Sequence, residues 1–225
     1  MYHANFSLEP YAELLTDVAR LKREIPSVLG LEDKHEMVHL YLFQNQNTYQ
    51  AYLTQYFPTA PNRRALFIKQ RGPGMVFAYA GQDFEIDLRH ESTHAVLHSM
   101  LPMVPLWLDE GLAEYFELPA EQRTSKNPHL RRVQWNLKWG RAPDLQELEA
   151  LTDLSQMTRD DYRDAWAWIH FLLHGPEAVQ KSFQAYLADI QRQVPPGKLE
   201  DRLRQASPNV NQQFLQHMRS WRFDA

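Results

Sequence analysis

Residues 89 to 117 read RHESTHAVLHSMLPMVPLWLDEGLAEYFE, and they restrict the fold more than any other part of the chain. His90, His94 and His98 recur every four residues, which aligns them on one face of a helix. Pro102 interrupts that helix, since proline lacks the N–H that a helix interior needs. A second helical pattern follows at once, with Glu110, Glu114 and Glu117 along one stripe. Leu106, Trp107, Leu108, Leu112, Ala113 and Phe116 surround these acids, so the second helix belongs to the interior. Buried carboxylates are costly unless paired or bound to metal. Imidazoles beside the stripe relieve that cost. The two helices are expected to pack on each other, with Gly111 permitting a close approach.

His90-Glu91-Ser92-Thr93-His94 fits the pattern H-E-x-x-H. Two histidines four apart can bring their ring nitrogens to one zinc ion, and Glu91 between them can face a water on that ion. With 10 histidines in 225 residues the pattern arises by chance in roughly 3% of such chains, so the acidic helix that follows is what gives it weight. Glu110 is expected as the third ligand, and Glu114, one turn on, as acceptor of a hydrogen bond from a ligand histidine. Glu117 is expected in solvent at the helix end. His90 and His98 lie ~12 Å apart along a straight helix, so His98 is expected outside the ligand set. Three protein ligands leave one position open for water, the mark of a catalytic zinc site with one ion per chain.

The chain has no cysteine, so any metal must rely on His, Asp or Glu. Its length suits one domain, 1–225, with residues 1–118 as sheet plus zinc-binding helices and 119–225 as a helical part. A formal net charge of −4 without a long basic run points to no nucleic-acid or anionic-membrane partner. No segment approaches the ~18 uninterrupted apolar residues of a membrane span. The N-terminus lacks the apolar core of a signal peptide. A soluble, cytoplasmic protein is the default expectation, and an exported one with a trimmed leader the alternative.

Elsewhere the spacing predicts a helix over 8–21, a strand over 37–43 and a helix over 47–57. The runs ALFIKQ and MVFAYA, separated by RGPG, read as two strands joined by a turn. Asp83 is the expected N-cap of a helix from Phe84 to Met100. Beyond 118 the pattern is helical almost throughout. The fold class is therefore α+β, a small mixed sheet carrying the H-E-x-x-H helix and then a mostly helical part. Trp107, Trp135, Trp139, Trp166 and Trp168 sit in helical patterns and are expected in the core, whereas the pairs Arg63-Arg64 and Arg131-Arg132 are expected in solvent.

HESTH at 90–94 and WLDEG at 107–111 resemble the gluzincins, zinc metallopeptidases with a glutamate on the next helix. Over most of the chain, from YLFQNQNTYQAYL through RRALFIKQ to DYRDAWAWIHFLL, the sequence is similar to a bacterial peptidase-MA-like family, domain of unknown function 1570. The resemblance implies a zincin-like fold and zinc-dependent peptide hydrolysis, with Glu110 as third ligand. Gluzincin aminopeptidases carry a GAMEN-like strand, whereas the matching region here reads GPGMVFAYAGQDFE. An endopeptidase is thus favoured, with MVFAYA available for edge pairing with an extended peptide. By the same resemblance Tyr162, at the start of a similar helix, is the candidate oxyanion donor, with His170 second. Two other readings share these residues: a catalytically silent peptide-binding scaffold, and a zinc amidase acting on a non-protein substrate.

Overall fold

The structure is a computed structural model that describes residues 1–70 and 72–222. Its sheet has four strands, β1 Tyr2–Ala4, β2 Val38–Phe43, β3 Ala65–Ile68 and β4 Gly74–Tyr79, in the order β1-β2-β4-β3. β1, β2 and β4 run parallel, and β3 is antiparallel to β4. The ALFIKQ and MVFAYA runs do form a hairpin. However, β4 lies between β2 and β3, so the MVFAYA backbone is already paired on both sides. The free edge on that side belongs to β3. At three residues, β1 is too short to show an alternating pattern in sequence.

The parallel strands are joined through helices, as parallel pairing requires. α1 (Ala12–Leu29) links β1 to β2, and α2 (Gln46–Tyr56) follows β2. α1 begins after a 3₁₀ turn at Glu9–Tyr11 and runs past Leu21 through Pro26. Leu15, Val18, Leu21, Ile25 and Leu29 extend one buried stripe along it, and Gly30 ends it in the left-handed region (φ 67°). Apolar residues alternate through the strands. Leu40, Leu42, Val76 and Ala78 meet α1 and α3 (Phe84–Met100) on one face, while Phe43 and Phe77 meet Tyr49 and Leu53 of α2 on the other.

Nothing caps α3 through Asp83. That residue holds the N-cap position without a capping bond: its φ of −102° and ψ of 19° lie outside the extended region of a capping residue, and its carboxylate pairs with Arg64. After α3 come α4 (Leu106–Phe116), α5 (Pro128–Lys138), α6 (Leu145–Glu149) and α7 (Arg159–His174), then α8 (Glu177–Gln191), α9 (Leu199–Ala206) and α10 (Val210–Ser220). α4 is sandwiched between α3 and α7. Gly111 serves the α7 side, not the α3 side. A Cβ there would stand 2.9 Å from Ile169 Cγ1 and 3.0 Å from the Ala165 carbonyl oxygen. Trp107, Trp166 and Trp168 are buried with this helical core, but Trp135 and Trp139 are exposed, contrary to the core position expected for them. The whole is an α+β arrangement with a small mixed sheet and a mostly helical remainder.

Candidate metal centre

α3 presents His90 and His94 one turn apart, and α4 lies against that face with Glu110 buried between them. Glu110 Oε2 stands 3.5 Å from His90 Nε2 and 3.8 Å from His94 Nε2. The two imidazole rings are steeply inclined, at 75°, with centroids 4.9 Å apart. These three donors converge closely enough that together they could hold a metal ion.

The second nitrogen of each histidine decides how well the group fits a cation. His90 Nδ1 hydrogen-bonds Glu117 Oε2 at 3.0 Å. His94 Nδ1 stands 2.9 Å from Asp109 Oδ1, a short contact without hydrogen-bond alignment. The other Asp109 oxygen hydrogen-bonds His98 Nε2 at 2.9 Å. A carboxylate at Nδ1 keeps the proton there and leaves the Nε2 lone pair for a ligand. Both lone pairs then point into the space that Glu110 closes.

Electrostatics agree. Burial opposes charge on His90, yet its bonds with Glu110 and Glu117 hold its pKa well above the ordinary imidazole value. For His94 burial again opposes charge, and Asp109 outweighs it. Burial would raise Asp109, but His94 and His98 keep its carboxyl far below the usual range. Burial wins at Glu117, whose pKa is raised despite His90. The space between the three donors is built to hold positive charge.

Two assignments change. Glu114 does not receive a ligand histidine's proton, because its Oε2 is taken by His129 Nε2 of α5 at 2.7 Å. Glu117, expected in solvent, does that for His90. Glu114 and Glu117 also converge with His90 as a second possible donor group, in which the bonds to His129 and His90 already engage one oxygen of each carboxylate. Asp109 and His129 were not expected. Asp109 stands next to Glu110 in WLDEG and could have been noticed as a second acid reaching the histidine face, whereas nothing in the spacing marks His129.

A cleft of about 410 Å³ opens beside these residues, lined by Arg63, Arg64, Asp87, His90, Glu91, Glu114 and others of the same walls. Glu91 faces it next to His90. Arg64 is exposed, as expected, and pairs there with Asp83 and Asp87. Tyr162, near the start of α7, is half buried. Burial pushes its phenol pKa up and the nearby Glu110 and Glu114 push it further, with Arg63 pulling the other way. Tyr162 therefore lies within electrostatic range of Glu110 and Glu114. His170 is instead fully buried and bonds His217 Nε2 at 3.0 Å in a separate cluster beneath α10.

In comparison with known proteins, the chain matches no family model and no curated sequence. What defines its class is an α+β fold with two histidines and a glutamate converging from adjacent helices. The resemblance to the gluzincins rests on the motif residues themselves.

Proposed function

We propose that the chain is a zinc-dependent hydrolase of peptide bonds, an endopeptidase of gluzincin type. The observation that carries this is the convergence of His90 Nε2, His94 Nε2 and Glu110 Oε2 at 3.5 and 3.8 Å, with Glu91 facing the adjoining cleft. Donors ~2.0–2.1 Å from a tetrahedral zinc stand about 3.3–3.4 Å from each other. The observed separations differ from that by a few tenths of an ångström. A zinc ion held there supplies Lewis acidity and makes water a nucleophile near neutral pH.

The chain's own residues supply the rest. Glu91 takes the proton from the attacking water and delivers it to the leaving nitrogen, as a general base and then acid. Tyr162 donates its phenolic hydrogen to the developing oxyanion. Asp109 and Glu117 fix the imidazoles from behind. An extended peptide is taken on the free edge of β3, which leads out of the cleft-lining Arg63 and Arg64, with backbone pairing in place of side-chain recognition.

Purified protein is expected to contain one zinc per chain, retained in Glu91→Gln and lost in His94→Ala. A peptide-library digest should show cleavage by the wild type and none by Glu91→Gln. Zinc-loaded wild type that cleaves no peptide would instead fit a silent scaffold or an amidase of other substrates, and a metal-free wild type removes the proposal altogether.

A further inference from the structure

Among the described residues, α5 packs on the fold through one face. Asn127 caps its first turn by accepting the His129 N–H at 2.9 Å, and Leu130, Val133 and Leu137 are buried towards α7 and α10. The opposite arc carries Arg131, Arg132, Trp135 and Lys138, with Trp139 at the C-cap. At 3.6 residues per turn those five positions fall within about 120° of the helix circumference. Arg141 follows beyond the left-handed Gly140 (φ 74°).

Trp135 is 47% exposed and Trp139 71%. Their indoles stand 6.2 Å apart, and the Arg132 guanidinium lies 4.6 Å over the Trp135 ring. Tryptophan is ordinarily well buried, and neighbouring exposed indoles on a cationic surface mark an interaction site. The arc contains no acid. Asp160, which acts on Arg132 and Arg141, is itself held by Arg163 at 2.6 Å. A chain-wide charge of −4 conceals this local reversal of sign, and it is why no anionic partner was expected from composition.

The partner must offer phosphate or carboxylate charge together with a shallow amphipathic layer for two indoles. A lipid headgroup region offers both, because indoles favour that depth and basic residues meet anionic headgroups there. A single-stranded nucleic acid fits less well. It needs open ring faces along a groove, whereas Arg132 covers a face of Trp135 and α5 is convex. We propose that α5 docks the protein on an anionic bilayer surface, with Trp135 and Trp139 at headgroup depth and Arg132, Lys138 and Arg141 on the lipid phosphates. The attachment is peripheral, for no helix among the described residues is long and apolar enough to cross a membrane. It does not depend on the hydrolytic reading.

Co-sedimentation with vesicles tests this on the full chain. Binding is expected to vesicles containing phosphatidylserine and not to pure phosphatidylcholine, to weaken with salt, and to shift tryptophan emission to the blue. Each lost cation should weaken binding about fivefold, so Arg132→Glu with Lys138→Glu should cost at least about twenty-fold. Trp135→Ala with Trp139→Ala should abolish the blue shift and most binding. These positions are exposed, and an unchanged circular dichroism melt will show that the variants remain folded. Three results would each overturn the proposal: no vesicle binding by wild type, binding untouched by either double variant, or capture by single-stranded oligonucleotides in preference to vesicles.

Discussion

At the scale of single residues, Asp109 is what makes the candidate metal centre more than a simple histidine–glutamate pair. Its carboxylate spans two turns of α3, with one oxygen 2.9 Å from His94 Nδ1 and the other 2.9 Å from His98 Nε2. His98 is thereby a brace for Asp109 and no ligand, which gives a role to the third histidine of the opening run. Asp109→Asn removes the charge and turns one of the two contacts into an amide facing an N–H. Metal affinity should fall by ~10–100-fold, the usual cost of losing such an outer partner. Competition against a chromophoric chelator measures it, and His98→Ala should cost much less. An Asp109→Asn protein binding metal as tightly as wild type would show that His94 is held by packing alone. The convergence of His90, His94 and Glu110 was legible beforehand because four-residue spacing on a helix dictates which side chains share a face. Their outer partners were not. Which carboxylate meets which Nδ1 depends on the rotation of α4 against α3, and neither helix encodes that rotation in its own periodicity. Glu114 and Glu117 are three residues apart on one stripe, so a small rotation exchanges their roles.

Among the elements, the pairing of α4 with α7 is the closest and the least tolerant. Gly111 sits where a methyl group would press on Ile169 Cγ1 at 2.9 Å and on the backbone of Ala165 at 3.0–3.1 Å. The Ile169 side chain can turn aside, but a helix backbone cannot. Gly111→Ala should therefore destabilise by about 1–3 kcal/mol, the range of overpacking, despite alanine's better helix propensity. Glu110 is the adjacent residue, so the same substitution should also weaken metal binding. Urea denaturation of the metal-free protein isolates the packing effect, and a midpoint equal to wild type would mean that the helices part at no cost. The close contact could be expected from a glycine inside an apolar helix, but its partner could not, since α7 lies some fifty residues downstream. The same limit holds for the sheet. The hairpin of β3 and β4 was readable from two apolar runs about a turn, whereas the insertion of β4 beside β2 is a long-range pairing without a local signal. α5 misled for a related reason: Trp135 and Trp139 fit a helical period, and a period does not say which face is covered.

Over the whole molecule, α10 is held to α7, and α7 to α4, through a largely buried set of neutral histidines. His170 of α7 bonds His217 of α10 at 3.0 Å, and His174 bonds the Tyr115 hydroxyl of α4 at 2.7 Å. The Trp221 ring lies 4.7 Å from His170 and 4.9 Å from His217, while Phe214 stacks on Trp168 at 4.2 Å. Burial lowers the pKa of all three histidines. His217 falls to about 4, His170 falls further, and the charges that would act on those two belong to other histidines of the set. An unfolded histidine titrates near 6.5. As pH falls below about 6.5, the unfolded chain therefore gains protons that the native cluster refuses, and stability declines. The loss from His217 is complete below about 4, and that from His170 continues beyond it. Above about 6.5 the cluster adds no pH dependence. Acid would also strip a metal held by His90 and His94, so a falling melting temperature alone does not identify the cause. His217→Gln separates the two. Its amide can still donate to His170 but takes up no proton, and the metal centre is untouched. Calorimetric melts should show the wild type losing several degrees between about pH 7 and pH 5, and the variant losing distinctly less. Parallel declines in the two proteins would assign the whole acid sensitivity to the metal centre and leave the C-terminal cluster as simple packing.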